Sequence, residues 1–151
     1  EYRKEHLADA LMKIPYMLCV DEYQHKVFEN PEMTTMERRA VWSGLEKIYM
    51  PWRNYAGNEF LESGAFWIKQ QHIFLYPFYY VDYAMAQMGA FEFYTKMKED
   101  RKAAWADYYK LCAAGGSMGY FDLLKYSGLH KVLEDGSVKI ILKGVFEELG
   151  L

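Results

Sequence analysis

Cysteine is scarce in this chain: there are two, Cys19 and Cys112, far apart and both in apolar settings. That fits reduced, buried thiols in a cytoplasmic protein better than a disulfide framework. Histidine is scarce too. There are four, and no two have the i, i+4 spacing of H-E-x-x-H, so the chain carries no self-sufficient zinc site. Neither charge dominates: the net charge is −3 and no basic stripe exists, which argues against a nucleic-acid partner. No apolar run reaches the length of a membrane span, because Lys69, Gln70, Asp82 and Gln87 interrupt the candidates. Period-2 alternation bounded by turns is missing as well, which leaves no basis for a sheet. The chain shows neither an initiator Met nor a signal peptide. It opens on Glu1-Tyr2-Arg3-Lys4, which reads as mid-helix, so the expectation is a piece of a longer protein.

What is present is aromatic. The chain has 14 tyrosines, nine phenylalanines and four tryptophans. They crowd around His72-Ile73-Phe74-Leu75-Tyr76-Pro77-Phe78-Tyr79-Tyr80-Val81-Asp82-Tyr83. Pro77 can open a helix, since its missing N–H falls where a helix has no acceptor anyway. From Phe78 to Tyr94 the polar residues Asp82, Gln87 and Glu92 are five apart, a spacing that builds no solvent face. This predicts a central helix from Pro77 to about Lys98. Tyrosine hydroxyls at its entry need partners, or form a polar wall facing a ligand. Tyr76, as the residue before proline, is biased away from the helical region. His72 and Tyr76 therefore end one helix, and Tyr79 and Tyr83 begin the next, at a shared corner.

Elsewhere the pattern is helical throughout. Glu1 to Glu29 reads as a helix that Pro15 kinks or splits. Thr34-Thr35-Met36-Glu37 is a capping box for a helix ending near Pro51. A helix from about Asn58 to Leu75 follows. Asp100 caps the helix after the central one, and Gly115-Gly116 stops it. Ser117 and Ser137 are the expected caps of the last two helices. The expected fold is an all-α, multi-helical orthogonal bundle of about seven helices in a single domain, residues 1–151.

Glu22 and His25 share a helix face at i, i+3, the spacing used in di-metal bundles, but such sites need a second pair that this chain lacks. His130, in a loop beside Lys131, reads as a solvated residue. Gly115-Gly116-Ser117-Met118-Gly119 lacks the Gly-Lys-Ser/Thr ending of a phosphate loop and reads as a helix stop.

Trp67-Ile68-Lys69-Gln70-Gln71-His72-Ile73-Phe74 and Tyr76-Pro77-Phe78-Tyr79-Tyr80-Val81-Asp82-Tyr83-Ala84-Met85-Ala86-Gln87 carry a resemblance. So do Ile14-Pro15-Tyr16, Asp21-Glu22-Tyr23-Gln24-His25, Glu29-Asn30-Pro31-Glu32 and Leu123-Leu124-Lys125-Tyr126-Ser127-Gly128-Leu129. These stretches resemble the C-terminal region of the oligoendopeptidase F group of M3 zinc metallopeptidases, from about Tyr2 to the end. The resemblance implies one half of a helical catalytic domain split by a channel. It implies a cytoplasmic parent that hydrolyses short peptides, with zinc held by H-E-x-x-H and a further Glu upstream of residue 1. The fragment itself holds no zinc and is expected to be inactive alone. His72, Tyr76, Tyr79 and Tyr83 would bind peptide backbone. A tyrosine would meet the oxyanion, with Tyr79 first in line and Tyr76 or Tyr83 next. The related pattern has Gly-Tyr shortly before Tyr-Tyr, where this chain has Tyr76-Pro77-Phe78. The expected partners are short peptides, the remainder of the catalytic domain and, for the isolated chain, further copies in a homo-oligomer. The alternative is a stand-alone helical metal-binding or interaction domain built on Glu22 and His25.

Overall fold

In the computed structural model, which describes residues 1–151, the chain is all-α with no strand. Seven α-helices follow in order: α1 (Tyr2–Glu29), α2 (Thr35–Tyr49), α3 (Gln71–Leu75), α4 (Val81–Glu99), α5 (Arg101–Ala114), α6 (Tyr120–Tyr126) and α7 (Ser137–Leu149). The contacts divide the chain into two compact units, residues 11–84 and residues 1–10 with 85–151. No helix is long and apolar enough to cross a membrane.

In residues 11–84 the core is aromatic. Cys19, Val20 and Tyr23 of α1 pack with Trp42 and Leu45 of α2, with Met50 and with Trp67. Pro15 lies inside α1, which runs on as one helix rather than splitting in two. The α2 capping box forms as expected: the Thr34 hydroxyl accepts the Glu37 N–H at 3.3 Å, and Glu37 Oε2 accepts the Thr34 N–H at 2.7 Å. The helix expected from Asn58 to Leu75 does not form as one piece. It is a π-turn (Leu61–Ala65), a 3₁₀ turn (Phe66–Lys69) and the short α3. The cause is Gly64, whose φ of 83° breaks the helical path. A Cβ there would collide with the Arg39 carbonyl of α2, so glycine alone lets the turn lie against that helix.

The other unit is built by α4 from Met85 onward, α5–α7 and the first residues of α1. Phe93 of α4, Leu124 of α6 and Leu129 form one buried cluster, against which Leu111 of α5 packs. Phe91, Ala104, Ile141 and Val145 are buried as well. Asp100 caps α5, its Oδ1 accepting the Lys102 and Ala103 N–H groups at 3.0 Å each. Two expected caps fall elsewhere. Gly119, not Ser117, precedes α6, and a left-handed Gly136 precedes α7, with Ser137 buried as its first residue. Cys112 is exposed on α5, contrary to the expectation of two buried thiols, whereas Cys19 is buried.

Candidate functional site

The corner between α3 and α4 carries the sharpest chemistry. α4 begins at Val81 rather than Pro77, and the residues between the two helices form a tight turn. Its unusual member is Phe78, with φ of 62°, a region that bulky side chains seldom adopt. Two contacts hold it there. Gln24 of α1, 1% exposed, accepts the Phe78 N–H on its Oε1 at 3.2 Å. The Phe78 ring packs on His25 and Phe28, with centroids at 4.8 and 5.0 Å. The turn is thus pinned by α1, from far away in sequence.

This turn brings together the four residues singled out from sequence. The His72 imidazole lies 6.4 Å from the Tyr76 ring, 6.5 Å from Tyr79 and 5.8 Å from Tyr83. A fourth tyrosine, Tyr80, lies closer still at 4.7 Å. Tyr76, Tyr79 and Tyr83 are 60%, 47% and 42% exposed, so the corner is open to solvent. Tyr79 and Tyr83 meet edge to face at 5.3 Å. Hydrogen bonding with Tyr79, more than burial, pushes the Tyr83 ionisation up. Burial does the same for Tyr80. Tyr80 and Tyr83 therefore stay neutral near pH 7.

Two further residues belong to the site. Gln70, just before α3, puts its Nε2 2.6 Å from His72 Nδ1. Its Oε1 accepts the Tyr16 hydroxyl at 2.8 Å. The Tyr16 ring stands edge-on to Trp42, Phe66 and Tyr80. Sequence reasoning missed Tyr16, Gln70 and Gln24. A signal existed for Gln24, an amide next to Tyr23 and between Val20 and Val27 on α1.

The Glu22 and His25 pair does not form a site. Glu22 accepts the Tyr49 hydroxyl at 2.6 Å and pairs with Lys26 at 3.2 Å. His25 faces Asp21 at 3.6 Å and packs at a tilt against Phe78. The two side chains thus have separate partners, and the reading built on them is not favoured. No three His, Cys, Asp or Glu side chains converge as a metal-sized group. His130 is not simply solvated: its Nδ1 lies 2.6 Å from Glu92 Oε1, and its backbone N–H reaches Glu92 Oε2 at 2.9 Å. A polar cavity of about 460 Å³ also opens beside Glu46, Arg53 and Tyr55, where the Tyr55 hydroxyl bonds Glu46.

No protein-family model and no curated protein matches the chain. Solved structures do. A protein described as an oligoendopeptidase F is 46% identical with a TM-score of 0.94, over 99% of this chain and 26% of its own. PZ peptidase A with an inhibitor is 44% identical with a TM-score of 0.94, over 99% and 26%. A third, described as an oligoendopeptidase F from Bacillus anthracis strain Ames, is 33% identical with a TM-score of 0.75, over 99% and 23%. The chain spans about a quarter of the length of these structures. At 44–46% identity over 99% of its residues, the chain is similar along nearly its whole length to a region that makes up about a quarter of an oligoendopeptidase F and of PZ peptidase A.

Proposed function

We propose that residues 1–151 are the C-terminal part of the catalytic domain of a zinc-dependent, M3-type oligopeptidase. They would supply one wall of the channel in which short peptides are hydrolysed. The observation that carries this reading is the cluster of exposed phenols around one imidazole. Hydrolysis puts negative charge on the scissile carbonyl oxygen, and neutral O–H and N–H donors at fixed positions stabilise it as it develops. The same donors hold extended peptide backbone through its carbonyls. In this reading Tyr79 meets the oxyanion, and His72, Tyr76 and Tyr83 bind backbone. The ring contacts between them keep the donors in place before substrate arrives.

The side chains of this chain do not fit a zinc site, since none of its acidic, His and Cys groups converge in threes. The metal would be held by the remainder of the catalytic domain, which is therefore a partner of this chain. Alone, the chain would not cleave peptides, and in isolation it would associate with further copies of itself. The parent would be cytoplasmic, in keeping with two free thiols.

The test is kinetic and uses the full-length parent. Tyr79→Phe should lower kcat by roughly 100–1,000-fold while KM moves little, the loss typical of one oxyanion donor. An unchanged kcat moves the role to Tyr83 or Tyr76. Unchanged kinetics in all three Phe variants overturns the reading.

A further inference from the structure

We propose that Tyr16 and Gln70 are positioning residues that fix His72 as the tautomer protonated on Nε2, so that the imidazole offers a donor to a carbonyl bound at the corner. The inference deepens the reading above and rests on it for its functional meaning, though the tautomer stands on geometry alone. Tyr16 cannot swing away, because its ring is hemmed by Trp42 at 6.2 Å, Phe66 at 6.0 Å and Tyr80 at 5.9 Å. The Arg53 guanidinium lies 5.7 Å from the same ring.

Hydrogen-bond chemistry then sets the direction of the chain. The Tyr16 hydroxyl has one proton to donate, and Gln70 Oε1 receives it at 2.8 Å. Trp42, Phe66 and Arg53 have no acceptor to take that proton instead, and although the Tyr80 phenol could accept, Gln70 Oε1 is the acceptor within hydrogen-bond distance. Burial raises the Tyr16 ionisation well above the ordinary tyrosine value, so the donor keeps its proton. With Oε1 committed to Tyr16, the Gln70 amide must turn its nitrogen toward His72, where it lies 2.6 Å from Nδ1. A carboxamide nitrogen only donates. Nδ1 must therefore carry the lone pair, and the single proton of a neutral imidazole falls to Nε2. The opposite amide orientation would place a proton on Nδ1 and leave Nε2 an acceptor, which repels a peptide carbonyl. An amide on one side and a phenol behind it thus decide which sign the imidazole shows.

The experiment is a long-range proton–nitrogen correlation spectrum of histidine-labelled chain at about pH 8.5, above the ordinary imidazole range. His72→Asn assigns the His72 signals among the four histidines. The wild type should show a protonated Nε2 and an unprotonated Nδ1, with this tautomer in roughly tenfold excess. A protonated Nδ1 in the wild type overturns the proposal without recourse to any variant. Gln70→Glu replaces the donor by a carboxylate that only accepts, and should switch the proton to Nδ1. Tyr16→Phe releases the amide to turn either way, and should give a mixture. A spectrum unchanged by Gln70→Glu removes Gln70 from the proposal, and one unchanged by Tyr16→Phe removes Tyr16. Substrate enters none of these readouts. Failure of the peptide reading would appear in the Phe-variant kinetics, with the tautomer as predicted, so the two failures are distinct.

Discussion

Glu92 is a carboxylate held nearly out of solvent, 4% exposed, in the middle of α4. Such a group needs partners that restore what water gave it. His130 provides them through its backbone N–H, at 2.9 and 3.2 Å, and its ring at 2.6 Å. Glu92→Leu would leave that N–H without an acceptor and release the loop after α6. We expect a stability loss of about 1–3 kcal/mol, with Glu92→Gln milder because its amide oxygen still accepts. Urea midpoints decide it, and an unshifted Glu92→Leu midpoint would show the contact to be idle. The sequence could not show this pairing. His130 sits beside Lys131 in a polar loop, and its partner lies 38 residues back. The same holds for Gln24 and Phe78, 54 residues apart, whereas His72 and its tyrosines were legible because they are close neighbours along the chain.

Elements begin where local chemistry is strong, and those starts were legible. Thr34 with Glu37 and Asp100 with the two N–H groups it accepts mark α2 and α5 as their residues foretell. The entry of α4 was not legible. Pro77 is a good first helical residue, yet the helix waits until Val81 because Phe78 is held at positive φ by α1. Contacts between helices were equally hidden. Gly144 of α7 lies so close to α4 that a Cβ would sit 2.9 Å from Thr95 Cα and Oγ1. Its N–H donates to Thr95 Oγ1 at 3.2 Å. Gly144→Ala must push these helices apart, at a cost of about 1–3 kcal/mol, visible as a lowered urea midpoint with unchanged helical content. An Ala variant as stable as the wild type would mean that the crossing has slack. Asp107 of α5 links its helix to α4 through Lys96 at 2.8 Å, which also donates to the Gly128 carbonyl at 2.9 Å. Hydrogen bonds from Lys96 first, then Lys110, hold the Asp107 carboxyl below its usual range. A lowered carboxyl value stabilises the fold above the ordinary Asp range and is lost as pH falls through the folded value. Asp107→Asn should therefore be less stable than wild type at neutral pH, with the gap closing in acid. A gap independent of pH would show that the charge is immaterial.

At the scale of the molecule, the chain is about a quarter as long as the structures it matches. It also exposes large apolar side chains in sequence, with Phe74, Leu75, Tyr76 and Tyr79 at 55%, 56%, 60% and 47%. Monomers seldom show apolar patches above about 300–600 Å² without a partner. The isolated chain should therefore form a homo-oligomer with an aromatic-rich interface, and light scattering should find a mass above one chain. A stable monomer at high concentration that binds no hydrophobic dye would refute this. The two thiols have a practical consequence at the same scale. Cys112 meets solvent, whereas Cys19 is fully enclosed, its ionisation pushed up to about 12 by burial first and by Glu46 next. An alkylating reagent added to the folded chain should label one sulfur promptly and reach the other only when the aromatic core of residues 11–84 opens. Counting labels by mass against time would then read how often that core comes apart, with no engineered probe.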